Sequence, residues 1–204
     1  LGLANEEVGA DESISVYLTM ASEELKRAAG IVGRLRDLNR PSDPEEREST
    51  HIEELIERVL VITEKQIRDR NINVEVIENG EVPPVQVVRD RIQQVFLNLI
   101  LNAVDAMARG GNLTIQLSST KRPQGCQIVF IDTGIGIPPD VQKDLFSPFH
   151  TTKPDGLGLG LYISQSIIED HGGQIEMQSC PGEGTTFTIW LPGHSSEEAL
   201  EGAP

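Results

Sequence analysis

Basic residues are scarce in this 204-residue chain: 17 Lys and Arg face 32 Asp and Glu, a formal net charge of −15. Gripping a nucleic-acid backbone takes a cationic face that displaces counterions, so nucleic acid is set aside as a partner. Long apolar runs are missing as well. A membrane-spanning helix takes about 20 consecutive apolar residues, and the best stretch here, 95–104, is interrupted by Asn98 and Asn102. Cysteine is limited to Cys126 and Cys180, with no CxxC spacing and no metal set. Both are read as small buried hydrophobes of a reduced, cytoplasmic protein. The sequence opens at Leu1 without the pattern of a secretory leader, and the chain is read as a piece of something longer. What remains is 38% hydrophobic residues plus 19 glycines, enough for one ordinary domain with its own core and an appendage.

The appendage comes first. Ile14, Leu18, Ala21, Leu25, Ala28, Val32 and Leu35 recur at alternating spacings of four and three, the seam of a coiled coil. Asp11 or Ser13 caps this helix, and Pro41 and Pro44 end it. Its small alanines suit close helix approach, which favours an intermolecular bundle over packing on its own domain. Residues 45–49 read as a polar linker.

Beyond the linker, helices and strands mix. Helices are predicted over 51–69, 90–109 and 159–171, the last two followed by paired glycines. Strands are predicted over 71–78, 113–118, 127–131, 174–179 and 185–191, the final pair as a hairpin about 181–184. Residues 193–204 form an acidic tail with the composition of a disordered segment. The order predicts an α+β fold, a two-layer sandwich whose antiparallel-rich sheet is covered on one face by helices.

Three segments carry chemistry. Asn98 and Asn102 lie four apart on an otherwise apolar helix, so their amides share a face, and Asp105 follows one turn later. Buried amides without partners are costly, so these need hydrogen bonds or a ligand. In Asp132-Thr-Gly134-Ile-Gly136-Ile137 the glycines permit close backbone approach and Asp132 points into the bend. Taken alone, that pattern is a weak signal that a tight turn explains better. Gly156-Leu157-Gly158-Leu159-Gly160-Leu161 runs into a helix, and unpaired amides at a helix start make an anion site.

In this order and spacing the three resemble the ATP-binding catalytic domain of sensor histidine kinases. Gln94, Asn98 and Asn102 look like the N box, Asp132 to Gly136 like the G1 box, Leu145 to Phe149 like the F box, and Gly156 to Leu161 like the G2 box. Gly182 to Phe187 resembles the last glycine motif, and residues 102–107 and 151–153 most resemble the nitrogen-regulation and oxygen-sensing branch. The likeness covers about 50–192. It implies a Bergerat-type fold with a mixed sheet over 45–192. It also implies that 1–44 is part of the helical hairpin of dimerisation and phosphoacceptance, so that the chain forms a homodimer and serves a response-regulator receiver domain.

The resemblance also implies roles. Asp132 would accept the adenine exocyclic amine, with Ile137, Ile100 and Ala106 walling the base and Gly134, Gly136, Asp105 and Thr186 beside it. Asn102 would hold Mg²⁺, which favours hard oxygen ligands, and Asn98 would orient phosphates and metal. Lys153, with Thr151, Thr152 and the amides from Gly156 through Leu157, Gly158, Leu159 and Gly160 to Leu161, would balance phosphate charge under a lid over 147–156. Related ATPases carry Glu where this chain has Asn98. An amide cannot take a proton from water, so the site is expected to spare ATP from hydrolysis and pass its phosphoryl group to a protein.

Two departures stand out: Leu157 replaces a hydroxyl residue common in the G2 box, and His150 stands where the branch often has Phe. None of His51, His150, His171 and His194 has the context of a phosphoacceptor. The acceptor is therefore expected on residues preceding Leu1, so that this chain binds ATP without labelling itself. Two other readings remain: a serine kinase of the anti-sigma class on the same sandwich, and a module in which nucleotide only controls partner contacts.

Overall fold

The computed structural model describes residues 46–121, 123–151 and 157–193, with Tyr17 and Thr19. Apart from Tyr17 and Thr19, the predicted seam helix over 11–41 lies outside the described residues, as do the tail from 194 and Thr152, Lys153 and Gly156. The chain divides at Arg40–Pro41, and the fold below belongs to the second unit, Pro41–Pro204.

The elements run β1 (Glu48–Thr50), α1 (Ile52–Asp69), β2 (Ile72–Asn79), β3 (Val85–Val87), α2 (Arg89–Ala106), β4 (Gly111–Lys121), β5 (Gln124–Asp132), α3 (Pro139–Gln142), α4 (Gly160–Asp170), β6 (Gln174–Cys180) and β7 (Gly184–Pro192). Ile52, Leu55, Ile56, Val59 and Thr63 are the buried residues of α1, an apolar stripe at spacings of three and four. Thr63 fits that stripe because its hydroxyl donates to the Val59 carbonyl at 2.8 Å. α2 buries more, from Ile92 through Phe96 to Val104, because it packs against α1 on one side, α4 on the other, and β5 and β7 beneath.

Five strands form the main sheet in the order β2-β4-β5-β7-β6. β2 is parallel to β4 and every other pairing is antiparallel, which makes the sheet mixed. Along β5, Cys126, Ile128, Phe130 and Asp132 are buried and stand opposite Leu191, Ile189, Phe187 and Thr185 of β7. Period-two alternation thus gives the sheet one apolar face for the helices. Phe96 of α2 meets Phe130 of β5 with ring centroids 5.6 Å apart, a tilted pair at the layer junction. The two-layer α+β sandwich expected from the sequence is the fold.

Four details differ from expectation. The end of the expected polar linker, with Thr50 after it, is strand β1, paired with β3 as a separate two-stranded sheet; three residues are too few to display a period. The helix predicted to reach residue 109 ends at Ala106, whose carbonyl instead accepts the Ile135 N–H at 3.1 Å. β2 is the sheet edge and only Ile72 in it is buried, so it is less than half covered. Cys126 is buried, and burial with the nearby Glu53 charge pushes its thiol up to about 12, but Cys180 is exposed where β6 runs into its turn.

Candidate functional site

Asp132 is the last residue of β5, held between Leu113 of β4 and Thr185 of β7. It is only 6% exposed. Its Oδ1 accepts the backbone N–H of Gly134 at 2.8 Å and of Thr185 at 3.2 Å. Burial pushes its pKa above the ordinary carboxylate value, and the two N–H donors pull back against that rise. Oδ1 is thus occupied, while Oδ2 takes no hydrogen bond from the described residues. A buried carboxylate with one oxygen satisfied and one spare is a receptor for a donor group.

The turn after Asp132 is strapped on three sides. Ile135 bonds to the end of α2, as above. Gly182 donates its N–H to the Ile135 carbonyl at 2.8 Å. Ile137 donates its N–H to Ser179 Oγ at 2.8 Å, and Ser179 passes its proton toward the Gly184 carbonyl at 2.8 Å. Gln142 Nε2 then bridges the Ile137 carbonyl at 2.6 Å and the Ser179 carbonyl at 3.0 Å. Gly136 sits at φ +68°, and a Cβ there would run into the Cys180 carbonyl. Glycine is required at this position twice over. At Gly134 a Cβ would meet the Ala106 Cβ at 2.7 Å.

α2 supplies the next wall. Asn98, Asn102 and Ala106 are half-buried and Asp105 is exposed, at successive turns of one helix. α4 begins opposite them. Its N-cap, Leu159, is buried and gives no side-chain cap, so the first amides of the helix are not closed off by a side chain. A Cβ on Gly160 would strike Asn98 Oδ1, so the absence of a side chain there is what lets α4 approach α2. Gly158, at φ +65°, lies against the backbone of Phe149 and His150. Leu157 and Leu161 are half-buried and Thr151 is exposed. Asp132, Gly134, Gly136, Ile137, Ala106, Asn98 and the start of α4 thus frame one end of the sandwich.

Two expected site residues sit elsewhere. Thr186 stands opposite Ile131 on β7, so alternation puts it on the other face of the sheet from Asp132; Thr185 is the one that reaches the carboxylate. Ile100 is 0% exposed and belongs to the core beneath the site rather than its lining. Of the residues that hold the site in shape, Ser179, Gln142 and Ser164 belong to no sequence motif, and Thr185 lies in the last glycine motif without being singled out by it. Only the register of β7 against β5 could have found Thr185.

Three described histidines have distinct surroundings. His171 is 2% exposed and doubly bonded, His51 Nδ1 faces Glu53 at 3.2 Å, and His150 is half-buried next to Phe149.

Residues 87–195, which include Asn98, Asp132 and all of α4, match the family described as histidine kinase-, DNA gyrase B- and HSP90-like ATPase. The chain belongs to that family, whose fold binds ATP. Its likeness falls on the sensor histidine kinases. It is 36% identical over 181 residues to sensor histidine kinase ZraS of Salmonella typhi, covering 89% of this chain and 38% of that protein. The nucleotide-free catalytic domain of histidine kinase ThkA superposes with a TM-score of 0.65 at 35% identity, covering 72% of this chain and 95% of that domain. ThkA solved with response regulator protein TrrA superposes with a TM-score of 0.69 at 28% identity, covering 87% of this chain and 51% of that one. The chain thus spans less than half the length of ZraS. Among the described residues no helix is long and apolar enough to cross a membrane.

Proposed function

We propose that this chain is the catalytic part of a sensor histidine kinase that passes the γ-phosphoryl group of ATP to a histidine on an acceptor helix, for relay to a response-regulator aspartate. The observation that carries this is Asp132: its Oδ1 is saturated by two backbone donors and its Oδ2 is left for a ligand N–H. The exocyclic amine of adenine is such a donor, and Ile137 and Ala106 wall the base. Gly134 and Gly136 let the ring approach the backbone.

The phosphates belong at the α4 start, where Leu157, Gly158, Leu159, Gly160 and Leu161 carry backbone amides; Lys153, with Thr151, Thr152 and Gly156, adds charge and donors. Among the described residues no three His, Cys, Asp or Glu side chains cluster to hold a metal. A cation that shares the phosphates needs few protein ligands, which fits Mg²⁺ and the amide oxygens of Asn102 and Asn98. When bound, Mg²⁺ supplies charge neutralisation as the phosphoryl group moves. Asn98 cannot accept a proton from water, which favours transfer to a protein over hydrolysis. Dimerisation through 11–41, a receiver-domain partner and a cytoplasmic location complete the proposal.

None of the described histidines suits the acceptor role: His171 is buried with both ring nitrogens engaged, His51 is paired with Glu53, and His150 follows the exposed Phe149 at the site's own edge. Titrating the chain with ATP and Mg²⁺ is expected to give one bound nucleotide per chain. Incubation with γ-labelled ATP is expected to leave the chain unlabelled and to label an added helical-hairpin fragment carrying an acceptor histidine. No nucleotide binding, or stable acid-labile label on His150, would overturn the reading.

A further inference from the structure

Ser164 lies in the second turn of α4, 2% exposed and outside every motif in the sequence. Its Oγ is 3.0 Å from the Gly160 carbonyl, one turn back, and 3.0 Å from Asn98 Nδ2 on α2. A hydroxyl has one proton to give. Spent on the Gly160 carbonyl, it leaves only lone pairs for Asn98, and those lone pairs can bind only the N–H side of the amide. The oxygen side must then face away from Ser164. With the amide so turned, its oxygen lies against the bare Cα at the first residue of α4, where a Cβ on Gly160 would strike it first.

From this geometry we infer that Ser164 is a positioning residue for phosphoryl transfer. It locks the Asn98 amide so that Oδ1, not Nδ2, is presented at the helix start where the phosphates are proposed to lie. The inference rests on the proposed kinase reading and deepens it, because it fixes what Asn98 can do there. Asn98 then offers its oxygen as an acceptor there, toward a metal-bound water or the metal itself, while one of its two N–H groups is committed to Ser164. A half-buried amide with no such lock has two orientations of similar size, and the wrong one would aim an N–H donor where an acceptor is needed. Gly160 is part of the same device. Any larger residue would push α4 off Asn98, and loss of the hydroxyl would let the amide turn.

The test is a double-mutant cycle on transfer from ATP to an added acceptor hairpin, using the full chain with Ser164→Ala, Asn98→Ala, the double variant and Ser164→Thr. Ser164→Ala is expected to lower kcat by about tenfold with KM for ATP changed by less than about threefold, since orientation matters in the transition state. The double variant is expected to be no slower than Asn98→Ala, because the two residues act as one unit. Ser164→Thr, which keeps the hydroxyl, is expected to recover most of kcat. Additive losses, or a loss confined to KM, would overturn the inference. Side-chain amide NMR reads the contact without any transfer: the Asn98 pair, assigned by its absence in Asn98→Ala, moves in Ser164→Ala and keeps its place in Ser164→Thr. If that pair does not move, Ser164 does not hold it, whatever the kinetics. If it moves while the unaltered chain neither binds ATP nor transfers, the contact stands and the proposed function is what fails.

Discussion

Asp132 is held against its own preference for water, and the fold tolerates this for what the carboxylate can bind. Burial raises its pKa; the Gly134 and Thr185 amides recover only part of the lost solvation. A carboxyl whose folded pKa lies above its unfolded value adds stability that is complete below the unfolded value and lost as pH rises through the folded one. At neutral pH, then, the charged form weighs against folding. Asp132→Asn is expected to keep Oδ1 as acceptor for both amides while replacing Oδ2 with a donor that repels an incoming amine. ATP affinity should fall by at least about tenfold, some 1.4 kcal/mol, while Tm near neutrality holds or rises. The Tm difference should shrink as pH drops toward the carboxylate range. Calorimetric titration and melts across pH check both halves, and a variant that melts lower at neutral pH would refute the trade. The residue scale is also where sequence reading faltered. Asp132, Gly134 and Gly136 were legible because glycine and a strand-end acid leave a pattern. Thr185 was not, because choosing it over Thr186 needs the pairing register with β5, and nothing within Gly-Thr-Thr-Phe states that register.

Among the elements, α2 and α4 do the work of alignment, and they are joined at two places. At the start of α4, Asn98 meets Gly160 and Ser164. At the far end, His171 Nε2 accepts the Val88 N–H at 3.1 Å just ahead of α2, while Nδ1 lies 2.7 Å from the Ile167 carbonyl. Those partners fix the tautomer: Nδ1 carries the proton and Nε2 must stay bare. Protonating Nε2 would set one N–H against another. Burial lowers the His171 pKa, as do Arg47 and Arg91, against the opposing pull of the Ile167 carbonyl and Asp170. The neutral ring is therefore favoured in the fold, and its contribution is complete above the ordinary value of 6.5 and lost as pH falls from there through the lower folded value. His171→Gln is expected to cost about 1–3 kcal/mol near neutrality through the buried partners it leaves unmet. It should also flatten the decline in Tm below about pH 6.5. The difference between the melting profiles of the variant and the unaltered chain is the measurement, and parallel profiles would remove His171 from the account. The helices themselves were readable from their apolar spacing. The strands β1 and β3 were not, because three residues carry no period, nor was the early end of α2, which depends on Ile135 competing for the Ala106 carbonyl.

At the scale of the whole molecule, the net charge of −15 acquires a different meaning from the one it suggested at first. It excludes a phosphate-backbone surface but not a phosphate site, since backbone amides, an amide side chain and one lysine can hold a polyphosphate without a basic face. What the charge does instead is load the chain with self-repulsion. The pairs of Arg68 with Glu64 and of Arg89 with Glu48 and Glu54 each have a side chain more than half exposed and so return little. Salt therefore acts mainly on the repulsion: the screening length is about 10 Å at 0.1 M and shrinks further above it. Raising NaCl from about 50 mM to about 0.5 M is expected to raise Tm by a few degrees, as like charges are screened more than the few attractive pairs are weakened. A chain held together by its ion pairs would melt lower in salt. That result would also mean the apolar contact between α2 and the sheet, from Phe96 to Phe130, carries less of the stability than the buried face implies.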